Sequence, residues 1–130
     1  MRRGKNVSVV ESIQSVAKAY PLARVVAFAD LSSRMILCSA GSQNVTQEHL
    51  NKLCSDALSC FDDPLSSLAI EAFGEAQGSI VIDYDSVRVF LRSKEEASDV
   101  MCCICDPGID LTGFVVRLQS TLEEIASIPT

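Results

Sequence analysis

Near the start of the chain, apolar positions recur at helical spacing. Val9, Val10, Ile13, Val16, Ala17 and Tyr20 fall on one side, and Glu11, Gln14, Ser15 and Lys18 on the other. Pro21 closes this segment, because the residue before a proline avoids the α region. The period then changes. Arg24–Asp30 is a short apolar run, the mark of a strand buried on both faces and therefore central in its sheet. A polar reversal, Leu31-Ser-Ser-Arg34, leads into a second strand, Met35–Ala40, which Gly41 and Ser42 stop.

A helical block follows over Thr46–Ala76. Leu50, Leu53, Cys54, Ala57, Leu58 and Phe61 form its first stripe, with Asn44 or Thr46 as the cap. Asp62-Asp63-Pro64 resets the helix, Asp63 as N-cap and Pro64 at the first helical position. Leu65, Leu68, Ala69, Ala72, Phe73 and Ala76 make a second stripe, ended by Gly78. The block is expected as one kinked helix or two short ones.

Three strands come next. Ser79–Tyr84 and Val87–Arg92 read as a hairpin across Asp85-Ser86. Val87, Val89 and Leu91 point one way; Arg88, Phe90 and Arg92 point the other. After a charged loop, Asp99–Cys105 reads as another central strand. Leu111, Val115, Leu118, Leu122 and Ile125 then stripe a last helix over Leu111–Ser127. The order α-β-β-α-β-β-β-α predicts an α/β (α+β) sandwich on a five-stranded antiparallel sheet with a profilin-like architecture. Residues 1–7 are expected as a flexible basic tail, and 8–128 as a single domain.

Composition narrows the function classes. A chain of 130 residues with 48% hydrophobic and 22% charged positions is globular. The net charge of −6, with eleven Lys and Arg scattered along the chain, argues against nucleic acid. No apolar run approaches the ~20 residues of a membrane span. Arg2, Arg3 and Lys5 are not followed by the apolar stretch of a signal peptide. The six cysteines are too few for a disulfide scaffold and read as reduced thiols of a cytoplasmic protein.

Candidate chemistry is thin. Cys102-Cys-x-Cys105 is the sharpest metal-like cluster, but a strand sends Cys102 to the face opposite Cys103 and Cys105, whereas zinc needs converging ligands. Core thiols are the expected reading, with redox chemistry open only to exposed neighbours. His49, the single histidine, sits beside Glu48 in a first helical turn, off the apolar stripe, and reads as a surface residue. The acidic pairs Asp62/Asp63, Glu71/Glu75, Asp83/Asp85, Glu95/Glu96 and Glu123/Glu124 suit caps, turns and wet helix faces. Gly74-x-x-x-Gly78 follows a helix and lacks the Gly-Lys-Ser/Thr ending of a phosphate loop. No catalytic, cofactor or metal residue is therefore assigned.

The chain resembles the Roadblock/LC7 superfamily over about residues 8–126. Val10–Val16 looks like the first helix of that family, and Ala23–Asp30 with Met35-Ile-Leu like its first hairpin. Leu50–Ala57 looks like its long second helix, and Ile80–Leu91 with Val100–Cys105 like its last three strands. Two departures stand out. The family's Asp-x-Gly turn is replaced by Asp30-Leu-Ser-Ser-Arg34, and Asp63-Pro64 interrupts the second helix. The resemblance implies a homodimer, or a pair with a paralogous domain, formed by edge strands and second helices. It also implies a regulatory scaffold for a Ras-like small GTPase. On that basis the dimer interface is expected at Ile80, Val81, Ile82, Tyr84, Leu53 and Ala57, and partner contacts at Arg34, His49 and Lys52.

Two other readings stay open. An acidic type III secretion chaperone is also small, α/β and dimeric, though that class carries three strands before a helix as strong as Thr46–Ala76. A profilin-like or PAS-like sensor would need polar groups converging inside the sheet. Only Arg88 and Arg92 offer them, and a solvent-facing sheet edge explains those two more simply.

Overall fold

The structure is a computed structural model that describes residues 2–41, 45–62, 78–93 and 98–126. Its elements are α1 (Arg2–Ala19), β1 (Ala23–Asp30), β2 (Met35–Ala40), α2 (Gln47–Asp62), β3 (Gly78–Ile82), β4 (Val87–Arg92), β5 (Asp99–Cys105) and α3 (Leu111–Ala126). The five strands form one antiparallel sheet in the order β2-β1-β5-β4-β3. The expected element order and fold class are thus present. Asn44, Asp63-Pro64, the second stripe from Leu65 to Ala76, the pairs Glu71/Glu75 and Glu95/Glu96, and Ser127 lie outside the described residues.

Each face of the sheet carries its own core. Val26 and Phe28 of β1, Val89 and Leu91 of β4, and Met101 and Cys103 of β5 meet α1 and α3 on one side. Val25, Ala27, Phe90, Val100 and Cys102 meet Leu53, Cys54 and Ala57 of α2 on the other. β1 and β5 are buried on both faces, as their unbroken apolar runs demand. The alternation in β4 also holds, since Val89 and Phe90 enter opposite cores.

Four details differ from the sequence reading. α1 is helical from Arg2, so residues expected as a basic tail belong to it; arginine and lysine are good helix formers, and Gly4 does not stop it. β3 ends at Ile82, which leaves Tyr84 in the turn. The last helix buries Phe114 and Thr121 as well as Leu118, Leu122 and Ile125, and Thr121 Oγ1 donates to the Arg117 carbonyl. Arg88 is not at a solvent-facing edge. β4 lies one strand inside, and its side chain is held against α2.

Local chemistry explains the turns. The backbone N–H of His49 donates to Thr46 Oγ1 at 3.2 Å, so Thr46 caps α2. Asp30 Oδ1 accepts from the N–H and the hydroxyl of Ser32, at 2.9 and 2.6 Å, in an Asx-type turn. These bonds, the Ser32 hydroxyl foremost, hold the Asp30 carboxyl below its ordinary range despite some desolvation. The reversal is completed by Arg34 in the left-handed region, with φ of 58°.

Candidate interaction surface

β2 and β3 are the two edges of the sheet, and both expose apolar side chains: Met35 and Leu37 on β2, Ile80 and Ile82 on β3. The register of β3 pairs Ile80 with Val89, Val81 with Arg88 and Ile82 with Val87. Directly opposed residues of antiparallel strands share a face. Ile80 and Ile82 therefore stand on the α1/α3 face, and Val81 on the α2 face, where it packs at the margin of the core. The side chains of Ile80 and Ile82 are 46% and 73% exposed, and Tyr84 is wholly so.

The backbone direction follows from the hairpin. Asp83 N–H donates to the Ser86 carbonyl at 2.9 Å, so residue 83 bonds inward to the hairpin. Strand groups alternate in direction, so Val81 also bonds toward β4, while the N–H and C=O of Ile80 and Ile82 aim at the open edge. An edge of this kind invites pairing unless charge, proline or a bulge blunts it. Between Ile80 and Ile82 there is none of these.

Two ion-paired arginines fix the end of β3. Arg88 Nη2 meets Asp83 at 3.0 Å, and its Nη1 meets Asp56 of α2 at 3.1 Å. From β1, Arg24 reaches across β5 to donate to the Asp85 carbonyl at 2.6 Å, with its Nε 2.8 Å from Asp106. The edge is thus presented by an anchored hairpin.

The other expected interface residues divide. Leu53 and Ala57 are buried against their own sheet at 3% and 0% exposure, so they are core, not interface. The stripe on α2 serves to seat the helix. His49 and Lys52 are exposed and lie one turn apart on α2, where Lys52 is 3.6 Å from Asp56. Arg34 stands exposed at the β1–β2 turn. That turn lies beside α2, since the Asp30 charge adds to burial in raising the Cys54 thiol.

Among the described residues the cysteines form no converging donor set. Cys102 enters the α2 core while Cys103 and Cys105 enter the other. Burial pushes the Cys38 thiol up to about 11. Burial likewise lifts Cys105 to about 12, with Asp106 adding and Arg24 opposing. Such thiols are poor nucleophiles at neutral pH. Among the described residues no helix is long and apolar enough to cross a membrane.

No family model and no curated protein matches the sequence. Solved structures match the fold. A Roadblock/LC7 domain from Streptomyces avermitilis superposes with a TM-score of 0.72 at 8% identity, over 89% of this chain and 92% of that one. MglB of Myxococcus xanthus gives 0.72 at 16% identity, over 97% and 90%. An MglB in a tetrameric arrangement gives 0.72 at 11% identity, over 97% and 90%. The chain is a five-stranded α/β sandwich with an anchored, open edge strand. That architecture is the Roadblock/LC7 fold, and this chain has it.

Proposed function

We propose that this chain is a dimeric regulatory module, without a catalytic centre of its own, that binds or regulates a Ras-like small GTPase in the cytoplasm. The observation that carries the reading is the β3 edge. Its outward N–H and C=O groups at Ile80 and Ile82, flanked by apolar side chains, suit pairing with the same strand of a second copy. The shared fold supports it, as does self-association in a neighbour of that fold, the MglB of tetrameric arrangement. Arg34, His49 and Lys52 are the proposed GTPase contacts, as exposed cations or polar groups on and beside α2. Ile80, Val81 and Ile82 form the dimer edge, with Tyr84 just beyond it.

Light scattering tests the dimer. The wild-type chain should show twice its single-chain mass. Ile82→Pro removes an N–H that points outward while leaving the β4 ladder untouched, so that variant should run as a monomer with unchanged circular dichroism. A wild-type monomer overturns the reading. GTP hydrolysis by the pure chain overturns its non-catalytic part.

A further inference from the structure

The open edge of β3 ends in a charge. Asp83 follows Ile82 directly, and a charge at such a place ordinarily blunts an edge against pairing. This one is drawn inward. The carboxylate lies on the α2 face, 3.0 Å from Arg88 Nη2, although the Asp83 side chain keeps 47% exposure. The register explains the reach. Arg88 stands opposite Val81, so Asp83 is its diagonal neighbour, within range of a long side chain.

Arg88 is itself held. Its Nη1 lies 3.1 Å from one oxygen of Asp56 on α2, and the other oxygen of Asp56 is 3.6 Å from Lys52. Lys52, Asp56, Arg88 and Asp83 thus alternate in sign and balance. The chain as a whole carries −6, so this local balance does not follow from overall neutrality.

Dimerisation through β3 raises the cost of an unpaired charge at this place. A second β3 strand lies about 4.8 Å away. In the antiparallel register that sets Ile80 of one copy against Ile82 of the other, that strand runs beside Asp83. It strips water from the carboxylate, and a carboxylate that loses water needs a partner. Arg88 supplies one from the strand behind the edge, before the two copies meet.

We propose that Arg88 makes the β3 edge competent for self-association by neutralising Asp83. Arg88 is then a positioning residue for the dimer, acting on the interface through Asp83. This rests on the dimer reading above and adds its control, a charge that blunts the edge whenever Arg88 lets it go. The tie from Arg88 to Asp56 is a separate contribution, and mutation separates the two.

The test is the dimer dissociation constant of the full chain by analytical ultracentrifugation, with circular dichroism of every variant. Arg88→Met should weaken dimerisation about tenfold or more. Asp83→Asn should stay within about threefold of wild type, and adding it to Arg88→Met should restore that level, because a neutral amide needs no counter-charge. Asp56→Asn breaks the tie to α2 but leaves Arg88 on Asp83, so it too should dimerise within about threefold of wild type. If Arg88→Met does not fold, Arg88→Gln takes its place with the same expected losses and rescue. An Arg88 variant that dimerises like wild type, one that Asp83→Asn does not rescue, or an Asp56→Asn chain as weak as Arg88→Met overturns this proposal alone. A wild-type monomer overturns the dimer and this proposal together.

Discussion

Arg88 of β4 and Asp56 of α2 form an ion pair with Nη1 and Oδ2 3.1 Å apart. The same guanidinium holds Asp83, at the end of β3, at 3.0 Å. One side chain therefore ties the helix of one face to the hairpin that carries the open edge. Arg88→Met should lower stability by about 1–2 kcal/mol in urea unfolding. That is below a fully buried pair, because the Arg88 and Asp56 side chains keep 26% and 27% exposure. Lys52→Met, which removes a pair whose lysine is 74% exposed, should cost less than about 0.5 kcal/mol. Equal costs for the two would show that Arg88 is not the tie.

Gly41 ends β2 with φ of 137°, and a Cβ there would collide with the Arg24 carbonyl of β1. The backbone of the first hairpin closes on this glycine. Gly41→Ala should cost about 2 kcal/mol or more, since both the dihedral and the space are wrong for a side chain. Gly108, whose nearest neighbour to an added Cβ is a Leu22 methyl at 3.9 Å, is the control. Gly108→Ala should stay within about 0.5 kcal/mol of wild type.

Arg34 occupies the left-handed region, which a glycine would fill without strain. For an arginine that conformation costs about 1–2 kcal/mol, against about 0.5–1 kcal/mol of extra unfolded-state entropy for glycine. Arg34→Gly should therefore stabilise the chain slightly, by about 0.5 kcal/mol, read as a higher urea midpoint. If Arg34 contacts the GTPase, the same variant should bind it less well. A variant that gains stability and keeps full binding would remove Arg34 from the proposed contact surface.

The expectations that failed share a cause. Strand limits at β2, β4 and β5 were legible because alternation and turn residues are local signals. The stripe through Leu53 and Ala57 was legible as a helix face, but a stripe does not say which surface it meets; its own sheet took it. Arg24 and Asp85 lie 61 positions apart and touch only because β5 inserts between β1 and β4. Nothing in the spacing of those residues reveals that order. Arg88 looked like an edge residue for the same reason. The helical start of α1 was missed because residues 2–7 lack apolar periodicity, the signal on which the boundary rested.

Alkaline pH should loosen the fold through its thiols. Burial pushes Cys38 up to about 11 and, against the opposing Arg24 charge, Cys105 up to about 12. Cys103 is raised too, by burial first and by its cysteine neighbours second. An unfolded cysteine titrates near about 8.5, so the folded state holds these protons more tightly. A raised folded value means a contribution that is whole below the unfolded value and lost as pH climbs toward the folded one. The urea midpoint should be level up to about pH 8 and fall steadily from about pH 9 to 11. Cys38→Ala, at the half-buried margin of the core, should make that fall shallower by one thiol's share. In the folded chain, iodoacetamide at about pH 7.5 should leave the buried thiols unmodified, since neither thiolate nor access is present. Rapid modification of Cys102 or Cys103 at that pH would show that the sheet opens far more readily than its two cores imply.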